Sequence, residues 1–81
     1  MSNLFETIRI KIISPNGDIY TIKTVKTTQF SKIIQWYSIK KDIDVTKIVF
    51  LFDGQRLKPD QTPENFHMED DNMIDAMEKT N

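Results

Sequence analysis

The sequence predicts an α+β fold in which one helix lies across a mixed β-sheet. Three observations predict it: two alternating apolar and polar stretches near the N-terminus, one stretch with apolar residues at helical spacing, and an unbroken apolar run that ends in Asp-Gly. In a chain of 81 residues, these elements can form only one domain, and folding would bury roughly 60% of the surface that the unfolded chain exposes.

The first two strands are predicted to form a hairpin. Residues 8–12 alternate isoleucine with arginine or lysine, which is typical of a strand with one buried face. Residues 14–18 read Ser-Pro-Asn-Gly-Asp, a sequence that favours a reverse turn. Residues 19–25 alternate again and complete the hairpin. Residues 1–6 are expected to be a short flexible N-terminus.

A helix is predicted next, because apolar residues recur at i, i+3, i+4 and i+7. These residues are Phe30, Ile33, Ile34 and Tyr37. Thr27 and Thr28 are candidate N-caps, and Lys40 and Lys41 fall in the last turn, where cations suit the helix dipole. Trp36 lies off the apolar stripe, so we expect it to pack at an edge of the core, with an exposed contact role as the alternative.

Residues 48–52 form an unbroken run of β-branched and aromatic residues, which predicts a central strand buried on both faces. Asp53-Gly54 is a strong signal for a two-residue hairpin turn. Residues 55–57 would return antiparallel. Pro59 would end that return because it has no N–H to donate.

The rest of the chain predicts a short helical turn and a last strand. Thr62 stands before Pro63, an arrangement typical of a helix start, and Met68 is expected in the core. Residues 69–72 would form an acidic turn and residues 73–77 the final strand. Five strands and one main helix in this order fit the β-grasp architecture. The alternative, a ferredoxin-like fold, needs a second long helix, for which no other amphipathic run is long enough.

The residue types argue against catalysis. The chain has no cysteine, which excludes disulfides, thiol catalysis and cysteine-based zinc sites. His67 is the single histidine, and as a metal ligand it would need carboxylates from residues 69–71, so an exposed turn histidine is the favoured interpretation. The two glycines, Gly17 and Gly54, are explained by turns and form no phosphate loop. We therefore expect no enzymatic activity, no metal and no cofactor.

Charge and hydropathy limit the partners. A formal net charge of -1 gives no basic field for direct binding of nucleic acid. No apolar run approaches the ~20 residues that span a bilayer, and the N-terminus lacks the features of a signal peptide. We expect a monomer, located in the nucleus and cytoplasm, that binds no membrane.

The motifs around the second hairpin carry a family resemblance. Residues 50–57 read Phe-Leu-Phe-Asp-Gly-Gln-Arg-Leu, followed by Thr62-Pro63 and by Met-Glu-Asp-Asp-Asn-Met-Ile-Asp at 68–75. This pattern resembles the SUMO family of small ubiquitin-like modifiers, in a register that continues from residue 6 almost to the C-terminus. The resemblance implies a ubiquitin-like domain over residues 7–79, with residues 80–81 beginning a C-terminal tail.

The resemblance also implies a function. SUMO proteins are conjugated to lysines of target proteins through a C-terminal Gly-Gly, which would be expected after Asn81. Activating, conjugating and ligating enzymes attach them, specific proteases remove them, and proteins with short hydrophobic SUMO-interacting motifs bind them. The alternative is a SUMO-like domain that is never conjugated and that recruits the conjugating enzyme or motif-bearing partners.

The resemblance further implies a groove between the second strand and the helix, where such a motif adds as an extra strand. The implied groove residues are Ile22, Lys23, Thr24, Phe30, Lys32, Ile33, Tyr37 and Lys40. Thr24 replaces a usual aliphatic residue and Val25 a usual lysine, so motif affinity is expected to be weaker or shifted. Ile22, Phe30 and Ile33 also fit a purely structural role in the core. If Ile33 belongs to a functional groove rim, Ile33→Lys is predicted to abolish motif binding and leave the fold nearly intact, whereas global unfolding of this variant would show that Ile33 is core.

Two other positions follow from the same resemblance. Residues 57–60 match the acceptor pattern of an apolar residue, lysine, any residue and an acid, which makes Lys58 a weak candidate acceptor because the pattern is short and Pro59 is restrictive. His67 stands where the family usually has glycine, which bears on the local turn rather than on function.

Overall fold

The hairpin predicted at the N-terminus is present in the computed structural model, which describes residues 6–79. β1 (Thr7–Ile13) and β2 (Ile19–Val25) pair antiparallel along their whole length. Gly17 adopts φ 93°, a conformation that glycine permits without strain, at the turn between them. The expected N-terminal segment and the tail fall mostly on residues 1–5 and 80–81, which lie outside the described range.

Glu6, which was assigned to the flexible N-terminus, is held against the end of the hairpin. Its carboxylate lies 2.6 Å from the Lys26 ammonium, and its carbonyl accepts a 3.0 Å hydrogen bond from the Lys26 N–H. The ion pair raises the pKa of Lys26, chiefly through the hydrogen bond to Glu6. The ordered backbone therefore includes the residue before β1.

The predicted helix is α1 (Phe30–Lys41), but it does not begin at a threonine cap. Its N-cap is Gln29, whose side chain makes no capping hydrogen bond, so the prediction for Thr27 and Thr28 was wrong. The Thr28 hydroxyl instead shares a 2.8 Å hydrogen bond with that of Thr24. Carbonyls of a neighbouring loop accept from the first N–H groups of the helix, which makes a side-chain cap unnecessary.

The second hairpin follows a short 3₁₀ helix (Val45–Lys47) and consists of β3 (Ile48–Phe52) and β4 (Gln55–Arg56). Asp53 and Gly54 both have positive φ, at 51° and 77°, which is the geometry of a type I′ turn. A second 3₁₀ helix (Pro63–Phe66) and β5 (Asn72–Glu78) complete the chain.

The sheet has the order β2-β1-β5-β3-β4. β5 is parallel to β1 and antiparallel to β3, so the sheet is mixed and the β-grasp prediction is confirmed. The predicted position of β3 was wrong, because β5 is the central strand and β3 lies next to an edge. Val49 and Leu51 are also only half-buried, since no element covers that face of β3 in residues 6–79.

The core lies between the sheet and α1. It takes alternate residues of β1, β3 and β5, the apolar stripe of α1, and two residues from the loops. Its buried apolar members are Ile8, Ile10, Ile12, Phe30, Ile33, Ile34, Tyr37, Ile48, Phe50, Leu57, Met68, Ile74 and Ala76. Met68 is 1% exposed, which confirms its predicted place in the core.

Candidate functional site

The candidate site begins with the main chain of β2. β2 is the first strand in the sheet order, and β1 pairs with it on one side only. Within residues 6–79 no strand lies on its other side. An unpaired strand edge presents N–H and C=O groups that a further strand can bind.

Side chains of β2 alternate between the two faces of the sheet. Tyr20, Ile22 and Thr24 are half-buried on the side of α1, and both Tyr20 and Ile22 pack against the core. The Tyr20 ring meets Tyr37 edge to face with centroids 5.6 Å apart. Ile22 therefore exposes part of an apolar side chain beside the unpaired edge of β2. The hydroxyl of Thr24 already shares a hydrogen bond with the hydroxyl of Thr28.

On the side of α1 that faces β2, two lysines and a tryptophan lie in a row. Lys32, Trp36 and Lys40 are spaced i, i+4, i+8, which places them in a row along the helix surface. Trp36 is half-buried and packs against the core, as predicted. The Lys40 Nζ lies 5.7 Å from the Trp36 ring centroid, a distance at which a cation is attracted to the ring face.

Three of the predicted groove residues lie beneath the surface. Phe30 and Ile33 are 0% exposed and Tyr37 is 1% exposed, so they pack under the groove and do not line it. The Tyr37 hydroxyl is buried with no hydrogen-bond partner in residues 6–79, and burial raises the pKa of this phenol. Among the other predicted groove residues, Ile22 is half-buried and Lys32 and Lys40 are exposed.

A shallow concavity of about 460 Å³ lies where β2 ends and α1 begins. It is lined by Val25, Thr27, Thr28, Gln29, Lys32 and Thr62. We call the surface formed by this concavity, the β2 edge, Ile22 and the Lys32–Trp36–Lys40 row the reader groove. Its walls combine apolar atoms with an exposed ammonium group, which suits a peptide that has both apolar and acidic residues.

Lys23 is exposed but belongs to the opposite face of β2. It lies beside Arg9 of β1 in the strand register. The Arg9 guanidinium is itself neutralised by Asp71, with Nε to Oδ1 at 3.3 Å. Lys23 therefore adds positive charge at the strand edge, on the side away from α1.

The remaining candidates are separate from this surface. His67 is exposed and adopts φ 53° at the end of the second 3₁₀ helix, a conformation that glycine adopts more easily. Lys58 is exposed, after β4. Within residues 6–79 no group of three or more histidine or acidic side chains could hold a metal ion, and no helix is long and apolar enough to cross a bilayer.

The fold and motifs match a family with a known architecture. The model of the family described as "Rad60-SLD: Ubiquitin-2 like Rad60 SUMO-like" matches residues 8–77, which include α1 and all of the five strands except Thr7 and Glu78. The chain belongs to this SUMO-like family of ubiquitin-like proteins. The resemblance predicted from the sequence is thereby confirmed.

Individual relatives of the SUMO-like chain agree with this assignment. This chain is 37% identical over 70 residues to small ubiquitin-related modifier 2 of Arabidopsis thaliana. The match covers 86% of this chain and 68% of the relative. It is 36% identical over 72 residues to the ubiquitin-like protein pmt3/smt3 of Schizosaccharomyces pombe, covering 89% of this chain. The chain spans 62% of the length of that yeast protein.

A solved structure supports the fold independently. The ubiquitin of Caldiarchaeum subterraneum superposes with a TM-score of 0.85, covering 94% of this chain and 98% of the archaeal chain. Sequence identity is 15%, so this likeness concerns the ubiquitin-like fold alone.

Sequence reasoning named three groove residues that are buried, Phe30, Ile33 and Tyr37, and did not include Trp36 in the groove. The signal for Trp36 was present, since Lys32, Trp36 and Lys40 are spaced four residues apart. The concavity at the start of α1 had no such signal, because Thr62 comes from a distant part of the chain.

Proposed function

We propose that this SUMO-like chain is the folded domain of a protein modifier that is attached to target lysines and is read through the reader groove. Attachment would use a C-terminal Gly-Gly following Asn81, with the activating and conjugating enzymes of the SUMO pathway forming the bond and specific proteases cleaving it. Its site of action would be the nucleus and cytoplasm. Lys58 remains a weak candidate acceptor for chains.

One observation carries the proposal for the reader groove: the open edge of β2 lies beside half-buried Ile22 and faces a helix that bears exposed lysines. A partner peptide that adds as a strand gains main-chain hydrogen bonds along this edge. Its apolar side chains would pack on Ile22 and Trp36. Its acidic residues would lie near Lys32 and Lys40, which attract them during encounter.

Thr24 and Val25 adjust what this groove prefers. The hydroxyls of Thr24 and its partner Thr28 place a polar pair at the C-terminal end of β2, which weakens packing of a large aliphatic residue there. Val25 supplies no charge where a lysine would attract acids. We therefore propose that acidic residues of a bound motif interact chiefly with α1.

A titration followed by heteronuclear NMR tests the reader groove. The probe is a peptide with four consecutive aliphatic residues followed by four glutamates, and shifts are expected on β2 and along the Lys32–Trp36–Lys40 row. The double variant Lys32→Glu, Lys40→Glu should weaken binding by about tenfold or more, which corresponds to about 1.4 kcal/mol. Lys47→Glu with Lys58→Glu, at two exposed lysines beyond this groove, is the matched control because it changes the net charge by the same amount. Absence of shifts on β2 at millimolar peptide would contradict this groove.

Conjugation is tested separately on the chain extended by two glycines. Incubation with SUMO-activating and SUMO-conjugating enzymes and ATP should give a thioester and then an isopeptide-linked product. The same chain extended by two alanines is the control and should give neither, since only a tail without side chains threads the narrow enzyme channels. If the diglycine chain also gives no adduct while the peptide binds, the protein is a non-conjugated binding module.

A further inference from the structure

Two methionines of the central strand lie on the face of the sheet that points away from α1. Side chains of a strand alternate between the two faces. Ile74 and Ala76 of β5 belong to the core beneath α1 and are 0% and 2% exposed. Met73 and Met77 alternate with them and are 49% and 46% exposed. We call the face that carries these two methionines the outer face.

The neighbouring strands leave these methionines accessible. In the strand register, Met73 lies beside Lys11 of β1 and Met77 beside Val49 of β3. Lys11 and Val49 are half-buried, so the outer face is not covered at either position. Within β1, β3 and β5, Met73 and Met77 are the only large apolar residues that are exposed. Two thioethers therefore meet solvent at the centre of the sheet.

A methionine thioether that meets solvent can be oxidised by hydrogen peroxide. The sulfur lone pair attacks one peroxide oxygen and the O–O bond breaks. The proton on the transferred oxygen goes to the departing hydroxide, which leaves as water, and the sulfur becomes a polar sulfoxide. Cysteine thiolates react with the same oxidants, but this chain has no cysteine. Exposed methionines are therefore its principal targets for this two-electron oxidation.

Met68 shows the opposite environment in the same domain. It is 1% exposed and belongs to the core, so peroxide reaches its sulfur only when the domain opens locally or globally. Met1 lies outside the described residues. The folded domain thus combines two accessible thioethers with a protected one, which provides an internal reference for the rate of oxidation.

We propose that Met73 and Met77 form a reversible methionine-oxidation site on the outer face. Oxidation replaces two flexible apolar side chains by polar sulfoxides and makes this face more polar. The fold persists, because Ile74 and Ala76, which anchor β5 in the core, lie on the other face. Methionine sulfoxide reductases reverse the change: a dithiol is oxidised to a disulfide, the sulfoxide oxygen leaves as water, and the thioether returns.

The oxidation site is separate from the reader groove. Ile22 packs on the core from the side of α1, and Trp36 belongs to α1 itself, so the apolar residues of the reader groove lie across the sheet from Met73 and Met77. Oxidation therefore changes the contacts that the outer face can make and leaves the reader groove as it is. Binding of the aliphatic and glutamate peptide should stay within about twofold after oxidation, because its site is not altered.

Peroxide treatment of the whole chain, followed by peptide mass spectrometry at successive times, tests the site. Sulfoxide should form at Met73 and Met77 at least about tenfold faster than at Met68, because access governs the rate. In concentrated guanidinium chloride, which unfolds the domain, the three rates should agree within about twofold. Both classes of methionine sulfoxide reductase, supplied with dithiothreitol, should then remove the added oxygens from the folded protein.

Hydrophobic-interaction chromatography and circular dichroism measure the effect on the surface and on the fold. The oxidised protein should elute earlier than the untreated protein, with an unchanged near-ultraviolet spectrum. Met73→Leu with Met77→Leu keeps the outer face apolar without a thioether, so peroxide should not change its elution. Met68→Leu is the matched control and should respond to peroxide as the parent protein does.

Four outcomes would overturn the proposal. Equal oxidation of Met68, Met73 and Met77 in the folded protein would mean that access does not distinguish them. Loss of the near-ultraviolet spectrum would show that the sulfoxides disturb the core. A peroxide-dependent change of elution in the double leucine variant would assign the effect to another residue. Sulfoxides that the reductases leave in place would show that the modification is not reversible in the folded domain.

Discussion

Arg9 joins the first strand to the turn before the last one. Its N–H donates to Asp70 Oδ1 at 2.8 Å, its carbonyl accepts from the Asp71 N–H at 2.8 Å, and its guanidinium contacts both Asp71 carboxylate oxygens. These contacts fix the acidic turn where β5 begins beside β1. Because the partners are more than 60 residues apart, no local pattern in the sequence revealed them.

The contact between Arg9 and Asp71 predicts how the pKa of Asp71 changes when Arg9 is replaced. The hydrogen bond from Arg9, followed by its charge, lowers the pKa of Asp71. An aspartate with a lowered pKa contributes stability that is present above its ordinary pKa of about 3.9 and is lost as pH falls through the lowered value. Arg9→Leu should therefore raise the pKa of Asp71 toward that ordinary value, as measured by NMR titration of side-chain carboxyl carbons.

A second carboxylate provides the matched control for this titration. The N–H of Thr46, and then its hydroxyl, lower the pKa of Asp44, far from Arg9. Thr46→Val removes only the hydroxyl, so it should raise the pKa of Asp44 in part and leave Asp71 unchanged. If Arg9→Leu moves both carboxylates equally, the shift comes from net charge and the local contact has no special effect.

Ile33 shows how burial changes the interpretation of a substitution. Ile33 is 0% exposed, so Ile33→Lys would place an ammonium group in the core, and we expect this variant to destabilise the fold. We predict that this variant loses about 3 kcal/mol or more of unfolding free energy. Lys32→Glu, one residue away and exposed, should change it by less than about 0.5 kcal/mol. Urea denaturation followed by circular dichroism measures both, and a near-native Ile33→Lys variant would contradict the burial.

Two helix starts use different kinds of cap. The first N–H groups of α1 donate to carbonyls of the loop, Phe30 to Gln61 at 2.9 Å and Ser31 to Pro59 at 3.0 Å. The second 3₁₀ helix has a reciprocal capping box, in which Thr62 and Asn65 each bond the backbone of the other. Only the second kind depends on a side chain at the N-cap.

This difference predicts opposite sensitivities to alanine. Thr62→Ala should lower the unfolding free energy by about 1 kcal/mol, because it removes the acceptor for the Asn65 N–H. Gln29→Ala, at the N-cap of α1, should change it by less than about 0.5 kcal/mol, because its side chain caps nothing. Chemical denaturation of the two variants gives the comparison. A larger loss for Gln29→Ala would mean that its side chain stabilises α1 in another way.

Sequence reasoning succeeded where the cause is local. The Asp53-Gly54 turn and the Thr62-Pro63 helix start were predicted correctly, because positive φ and side-chain capping depend on adjacent residues. The start of α1 was missed because its cap comes from residues about 30 positions later. The apolar run of β3 was misplaced at the centre because such a run reports burial without reporting strand order.

Strand order governs which parts of the whole molecule can bind a partner. β5 lies at the centre, with β1 on one side and β3 on the other, although β1 and β5 stand at opposite ends of the chain. In the described residues, main chain without a strand partner runs along the outer edge of β2. The reader groove lies on this margin, beside α1.

This arrangement predicts a gradient of hydrogen exchange across the sheet. Amides of β5 and of the parts of β1 and β3 paired with it should exchange only on global unfolding, since both neighbours and the core must separate first. Amides of β4, a two-residue edge strand, should exchange at least about tenfold faster through local opening. Native-state exchange measured by NMR gives these rates residue by residue. Equal protection of β4 and β5 would contradict this gradient and would mean that the sheet opens as one unit.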